Sequence, residues 1–121
     1  TMTASSARSP KSRKARWSAR ARVQSHAFIC ELVTIGEDCF VGHGVMFIND
    51  TFASGGPARG NKDRWRETVI GYRVSIGSNA TIMPVRIVDD VVIGAGSVVT
   101  RDIMAAGTYA GNPARLLKLA K

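Results

Sequence analysis

Apolar residues open this chain's segments, mostly in steps of six. The series runs Val23, Ile29, Ile35, Val41 and Phe47, resumes at Ile70, Ile76 and Ile82, slips by one residue to Ile87, and continues at Ile93 and Val99. Strand side chains alternate faces with period two, so an even repeat sends every opener to the same side and stacks them as one apolar column. A helix of 3.6 residues per turn would rotate them out of line. Four stretches carry the whole pattern: those starting at Ile35, Val41, Ile76 and Ile93 each place Gly directly after the opener and a small or short side chain fourth after it. Gly in second place fits a corner where the chain bends sharply or passes close to a neighbouring coil.

This periodicity predicts a parallel β-helix of hexapeptide repeats. A sandwich of short strands would show hairpin turns such as Asn-Gly about every 8–12 residues, and the sequence lacks that signal. At 121 residues the stack has three to four coils with open ends and flat sides, so association is expected to supply further burial. No run approaches the roughly 18 apolar residues of a membrane helix, and no apolar stretch of a signal peptide follows the basic start. The expectation is a soluble, cytoplasmic protein without membrane insertion. Cys30 and Cys39 form no Cys-x-x-Cys pair and read as packing residues.

Charge divides the chain. Residues 1–22 hold seven of the 17 Lys and Arg (Arg8, Lys11, Arg13, Lys14, Arg16, Arg20, Arg22) and no acid. Being rich in Ser, Arg and Ala and out of step with the repeat, this stretch is expected to be a disordered basic arm, followed by a β-helix domain over 23–121. A second break lies between Phe47 and Ile70. The loop over 50–68 contains Gly55-Gly56-Pro57 and Gly60-Asn61, then crowds Arg59, Lys62, Asp63, Arg64, Trp65, Arg66 and Glu67 together. A structureless loop of that length inside a compact repeat is usually functional. Its guanidinium groups and Trp65 suit a phosphorylated, ring-bearing ligand, since Arg forks grip phosphate and an aromatic face stacks on a base.

The repeats, the interrupting loop, the phrase Val41-Gly42-His43-Gly44-Val45-Met46-Phe47-Ile48-Asn49-Asp50, and the ending Ile93-Gly94-Ala95-Gly96-Ser97-Val98-Val99-Thr100-Arg101-Asp102 with Gly111-Asn112-Pro113-Ala114-Arg115 together carry a resemblance. The chain resembles the left-handed β-helix acyltransferases over about residues 23–117, and among them the nucleotide-linked amino-sugar N-acetyltransferases. It departs from them in its short N-terminal part and in the five-residue step from Ile82 to Ile87. The resemblance implies an all-β, left-handed parallel β-helix with one extruded loop. It implies acetyl-CoA as co-substrate, no metal, a UDP- or dTDP-linked amino sugar as acceptor, and a homotrimer whose sites use adjacent chains. A short C-terminal helix over Leu116-Leu117-Lys118-Leu119 is expected to cover the open end.

Three sides of six residues make one coil in this fold, so residues about eighteen apart stack: Glu31 below Asn49, and Ser25 below His43. Acetyl transfer to an amine needs a neutral amine, a thioester carbonyl within reach, and donors for the developing oxyanion. The resemblance carries a sugar-contacting role to Asn49, while Glu31 and Asp50 could orient the ammonium and Arg64, Trp65 and Arg66 the nucleotide. Asn49 could equally cap the loop entrance. His43 is the better placed of two candidate general bases, because an imidazole titrates near neutrality; His26 sits further from the loop. For the coenzyme, the resemblance points to backbone beside Gly77, Ser78, Ala95 and Gly96, with Arg101 and Arg115 on phosphates. Coil corners alone would also call for the small residues.

Two other classes compete with this reading. A metal-dependent lyase of the same fold, of the γ-carbonic-anhydrase type, needs three His ligands where this chain has two His in all. The alternative to an enzyme is a noncatalytic or truncated β-helix scaffold whose basic arm binds nucleic acid, a binding that salt would weaken steeply.

Overall fold

The structure is a computed structural model and describes residues 14–53, 55–57 and 65–120. The chain winds into a three-sided prism of short strands. The first face holds β1 (Arg16–Trp17), β3 (Val33–Ile35), β6 (Thr68–Ile70) and β9 (Arg86–Ile87). The second holds β2 (Arg22–Val23), β4 (Phe40–Val41), β7 (Ser75–Ile76), β10 (Val91–Ile93), β12 (Gly107–Gly111) and β13 (Ala114–Leu119). The third holds β5 (Met46–Phe47), β8 (Thr81–Ile82) and β11 (Val98–Val99). Among the described residues all strand pairs are parallel except β12 with β13.

Register aligns the openers coil upon coil. Ile35 pairs with Ile70 and Ile70 with Ile87; Val41 pairs with Ile76 and Ile76 with Ile93; Phe47 pairs with Ile82 and Ile82 with Val99. All nine are buried. Each such side chain removed from water contributes on the order of 1.5–3 kcal/mol, and these three inward columns are the principal source of cohesion. The small residue fourth after each opener fills a corner: Cys39, Val45, Ala80 and Ser97 are all buried. The Cys39 thiol donates to the carbonyl of Gly71 across 3.1 Å, and the Ser97 hydroxyl accepts from Gly111 N–H at 3.1 Å.

The corner between the first and second faces carries stacked charges. Arg20 pairs with Asp38 at 3.0 Å, and Arg73 grips Asp90 with two hydrogen bonds of 2.7 and 3.1 Å. Asp38, Arg73 and Asp90 all have φ near +60°, the left-handed turn that a tight coil corner requires. The next corner spends one left-handed residue per coil in the same way: His26, Gly44, Asn79 and Gly96.

Two sequence expectations change, and a third feature gains a location. The boundary at residue 22 is too late, because Arg16 and Trp17 pair with Thr34 and Ile35, and both Trp17 and Ala21 are buried. Residues 16–22 are thus a working part of the first coil, with Trp17 as the next opener down the same column; the arm from 1 to 13 lies outside the described residues. The C-terminal helix is instead a strand. β13 runs antiparallel to β12, with Gly107 opposite Leu119 and Gly111 opposite Ala114, because the last strand of the second face offers an open edge of backbone donors and acceptors that a hairpin can satisfy. The five-residue step also has a location. Steps of six hold between the first and second faces and between the second and third, whereas the third-to-first corner varies: Ile29 to Ile35, Phe47 to Ile70, Ile82 to Ile87, and Val99 to Ile103, which bridges Ile87. The loop leaves the prism from this tolerant corner.

Among the described residues there is no helix, and so none long and apolar enough to cross a membrane.

Candidate functional site

The structure sorts the candidate residues into two groups at opposite edges of the third face. At the third-to-first corner, Asn49 ends β5's segment. Its side-chain amide donates to the backbone carbonyl of Glu31 at 3.1 Å, one coil below. The eighteen-residue stacking is as expected, but Asn49 meets the main chain of Glu31 in this contact. The Asn49 carbonyl accepts from Arg66 N–H at 2.9 Å, which closes the base of the loop. Asp50 accepts from Phe52 N–H at 3.0 Å through Oδ1, a side-chain-capped turn that starts the loop outward. Trp65 is half-buried, with its indole nitrogen enclosed. Glu31, Asn49, Asp50, Trp65 and Arg66 therefore do gather at one corner; Arg59, Lys62, Asp63 and Arg64 lie outside the described residues.

His43 stands at the other edge, on the turn from β4 to β5, exposed. Its carbonyl accepts from Asn79 N–H at 2.8 Å, and the Ser78 carbonyl one coil higher accepts from Gly96 N–H at 2.8 Å. His43, Ser78 and Ala95 consequently form one vertical line along the second-to-third corner, above Ser25, whose carbonyl accepts from Gly44 N–H. The glycines in this line have different reasons for being there. A Cβ on Gly77 would lie 2.5 Å from the backbone nitrogen of Ala95, so the coils themselves leave no room. A Cβ on Gly96 would meet nothing within 4 Å, and its φ of +71° is what selects glycine. Ser78, Ala95 and Gly96 thus present a strip of accessible backbone with few projecting side chains, the kind of surface along which a slender acyl carrier can lie.

The basic candidates separate. Arg115, exposed on β13, is opposite Ala110, whose methyl covers Gly94, so its backbone lies at the top of the coil that carries Ala95. Arg101 follows β11 on the last coil toward the third-to-first corner, away from that line. His26 occupies the left-handed slot below Gly44 and is exposed. Asn79 was missed by sequence reasoning: its side-chain oxygen sits directly over Gly44, beside His43. The signal was available, because Gly44 and Asn79 hold the same slot in their repeats once the loop is skipped.

Between the two groups the third face turns outward Phe28, which is 56% exposed, Met46, which is 40% exposed, and the half-buried Thr81 and Val98. Among the described residues no cluster of three His, Cys, Asp or Glu side chains is arranged to hold a metal ion.

Known proteins share the repeat and the coil. Residues 32–46 and 67–101 match the family model described as hexapeptide repeat of succinyl-transferase. A probable macrolide acetyltransferase of Lysinibacillus sphaericus is 45% identical over 53 residues, 43% of this chain and 29% of that protein. The mitochondrial serine acetyltransferase 3 of Arabidopsis thaliana is 37% identical over 86 residues, 70% of this chain and 21% of that protein. The crystal structure of the polySia-specific acetyltransferase NeuO superposes with a TM-score of 0.71 at 29% identity, covering 88% of this chain and 52% of NeuO. A serine acetyltransferase of Brucella abortus solved with coenzyme A superposes at 0.63 with 26% identity, covering 88% of this chain and 43% of that one. The chain spans between about a fifth and a third of the two curated relatives and about half of NeuO. The matched repeats and these neighbours show that the chain shares the hexapeptide-repeat, left-handed β-helix fold of these acetyltransferases.

Proposed function

We propose that this protein transfers an acetyl group from acetyl-CoA to an acceptor amine, with His43 as the general base. The observation that carries this reading is the line His43, Ser78, Ala95: one exposed imidazole at the foot of a backbone strip suited to the pantetheine arm, with Arg115 at its head for phosphate. The acceptor nitrogen attacks the thioester carbonyl, the C–N bond forms as the C–S bond breaks, the amine proton passes to His43, and the departing thiolate takes up a proton. A positioned base of this kind accounts for roughly 10²–10⁴ in rate. Asn49, by contrast, spends an amide hydrogen on the Glu31 carbonyl, which favours its service as the clamp of the loop base.

The acceptor we assign is a UDP- or dTDP-linked amino sugar. Support comes from the Phe47-Ile48-Asn49-Asp50 phrase and from the loop, where Trp65 and Arg66 stand beside Glu31 and Asp50. His43 and this corner lie at opposite edges of the third face in one chain. A homotrimer in which the apolar third face, with Phe28 and Met46, packs against a neighbour would bring the imidazole of one protomer to the loop corner of the next.

A second reading rests on the relatives' own names, which specify a macrolide, chloramphenicol and serine as acceptors. Release of free thiol from acetyl-CoA across a panel of nucleotide amino sugars, macrolides, chloramphenicol and serine separates the two. Turnover confined to the nucleotide sugars supports the assignment; turnover of an antibiotic or serine with every nucleotide sugar inert replaces it.

A further inference from the structure

The first-to-second corner, remote from both edges of the third face, carries two grooves of similar make. One, of about 640 Å³, lies on the first-face side. Trp17 forms part of its lining and is nearly buried, and Tyr72 stands over it 51% exposed. The Tyr72 ring lies against Gly36, where any Cβ would collide with it. Its backbone is held on both sides, Tyr72 N–H donating to Asp89 at 2.8 Å and the Tyr72 carbonyl accepting from Asp90 N–H at 3.0 Å. Arg16, Thr34 and Glu37 complete the polar wall. The other groove, of about 530 Å³, lies on the second-face side and shares only the turn at Ala19 with the first. There Phe40 is 41% exposed beside Arg20, Arg22 and Asp38.

Each groove thus pairs one exposed aromatic side chain, that of Tyr72 resting against Gly36, with a carboxylate and at least one guanidinium. Both volumes fall within the roughly 300–1,000 Å³ of small-ligand sites. An apolar face next to planar polar groups matches a pyranose ring, whose C–H face packs on an aromatic while its neighbouring hydroxyls both donate to carboxylate and accept from guanidinium. The charges choose between ligand classes. Arg16, Arg20 and Arg22 stand against Glu37 and Asp38, and Arg20 is already paired with Asp38, so the corner has little net charge to attract a polyanion and both signs available for a neutral polyol. Two such grooves on either side of one turn fit consecutive units of a chain.

We propose that this corner is a binding site for a neutral oligosaccharide, with Tyr72 and Phe40 as its two stacking platforms. The inference is independent of the acetyl acceptor, since it uses none of the residues assigned to acetyl transfer.

The test titrates the full-length protein with uncharged hexasaccharides (maltohexaose, cellohexaose, chitohexaose), the matching disaccharides, and a heparin hexasaccharide, by calorimetry. At least one neutral hexasaccharide should bind saturably, one per chain, at least tenfold more tightly than its disaccharide, and with little dependence on salt. Tyr72→Ala and Phe40→Ser should each weaken it at least tenfold, Tyr72→Trp should restore it, and acetyl-CoA turnover should be unchanged in all three. If Tyr72→Ala fails to fold, Phe40→Ser and Tyr72→Trp decide alone. No binding of any neutral hexasaccharide, binding that ignores both aromatic substitutions, or binding of heparin alone with steep salt dependence overturns the proposal.

Discussion

Asn49 donates its side-chain amide to the backbone carbonyl of Glu31, 3.1 Å away and eighteen residues earlier, while its own carbonyl accepts from Arg66 across the loop. One residue therefore ties three strands of chain at the point where the loop leaves the prism. Asn49→Ala should cost about 1 kcal/mol, the net worth of one intramolecular hydrogen bond, and lower the melting temperature by a few degrees. Kinetically it should raise the acceptor KM more than it lowers kcat, because a loosened loop base disturbs binding before chemistry. An unchanged melting temperature with kcat reduced a hundredfold would put Asn49 at the reacting carbonyl instead.

The corner glycines make opposite predictions from similar sequence contexts. Gly77→Ala drives a Cβ to 2.5 Å from the Ala95 backbone nitrogen, so two coils must part, and overpacking of this kind costs about 1–3 kcal/mol or more. Gly96→Ala meets no neighbour and pays only for its left-handed backbone, roughly 1–2 kcal/mol. Thermal melts of the two variants should therefore rank Gly77→Ala as at least as damaging, and Gly96→Ala should be the one whose acetyl-CoA KM rises relative to its stability loss. Equal KM effects from the two would detach the accessible strip from coenzyme binding.

Burial among the corner residues pushes the Cys30 thiol from 9.0 up to about 11, opposed by a backbone hydrogen bond and reinforced by Glu31; burial raises Cys39 as well. The sign follows from the neutral thiol being the form the fold holds. With the folded value above the unfolded one, Cys30's contribution is complete below about pH 9 and is lost as pH rises through about 11. Urea midpoints should decline across that alkaline window, and Cys30→Ala should flatten the decline. At about pH 8 both thiols should react with a disulfide reagent only after unfolding; fast labelling of the native protein would contradict the burial.

The inward columns were legible in the sequence because an even repeat on extended chain has one structural meaning. Phe47, Ile70, Ile76, Ile82, Ile87, Ile93 and Val99 fall where the spacing puts them, and the shift at Ile87 marks a corner that tolerates length change. Trp17 was equally legible, six residues before Val23, but the surrounding Arg residues masked its column; outward strand positions such as Arg16 and Arg22 can be basic without breaking the fold. The end of the chain was not legible. Leu116, Leu117 and Leu119 are exposed on an edge strand, and no local pattern distinguishes such a strand from a helical cap. What selects it is the open backbone edge of β12, a tertiary demand. The site was legible as residue types but not as two groups: the stacking rule places His43 under Ser78 only when the loop's length is removed from the count, and spacing alone cannot show that Asn49 and His43 occupy opposite edges of one face.

Acetyl transfer as proposed depends on His43 taking the acceptor proton. The direct measurement is kcat against pH for the wild type and for His43→Asn, with acetyl-CoA and the best acceptor of the panel both saturating and binding of each checked separately. His43→Asn should lower kcat by about 10²–10⁴ with little change in either affinity, and abolish the acid limb of the wild-type pH profile. A variant that keeps near wild-type kcat, with a rate that simply climbs until the acceptor ammonium is neutral, would contradict it.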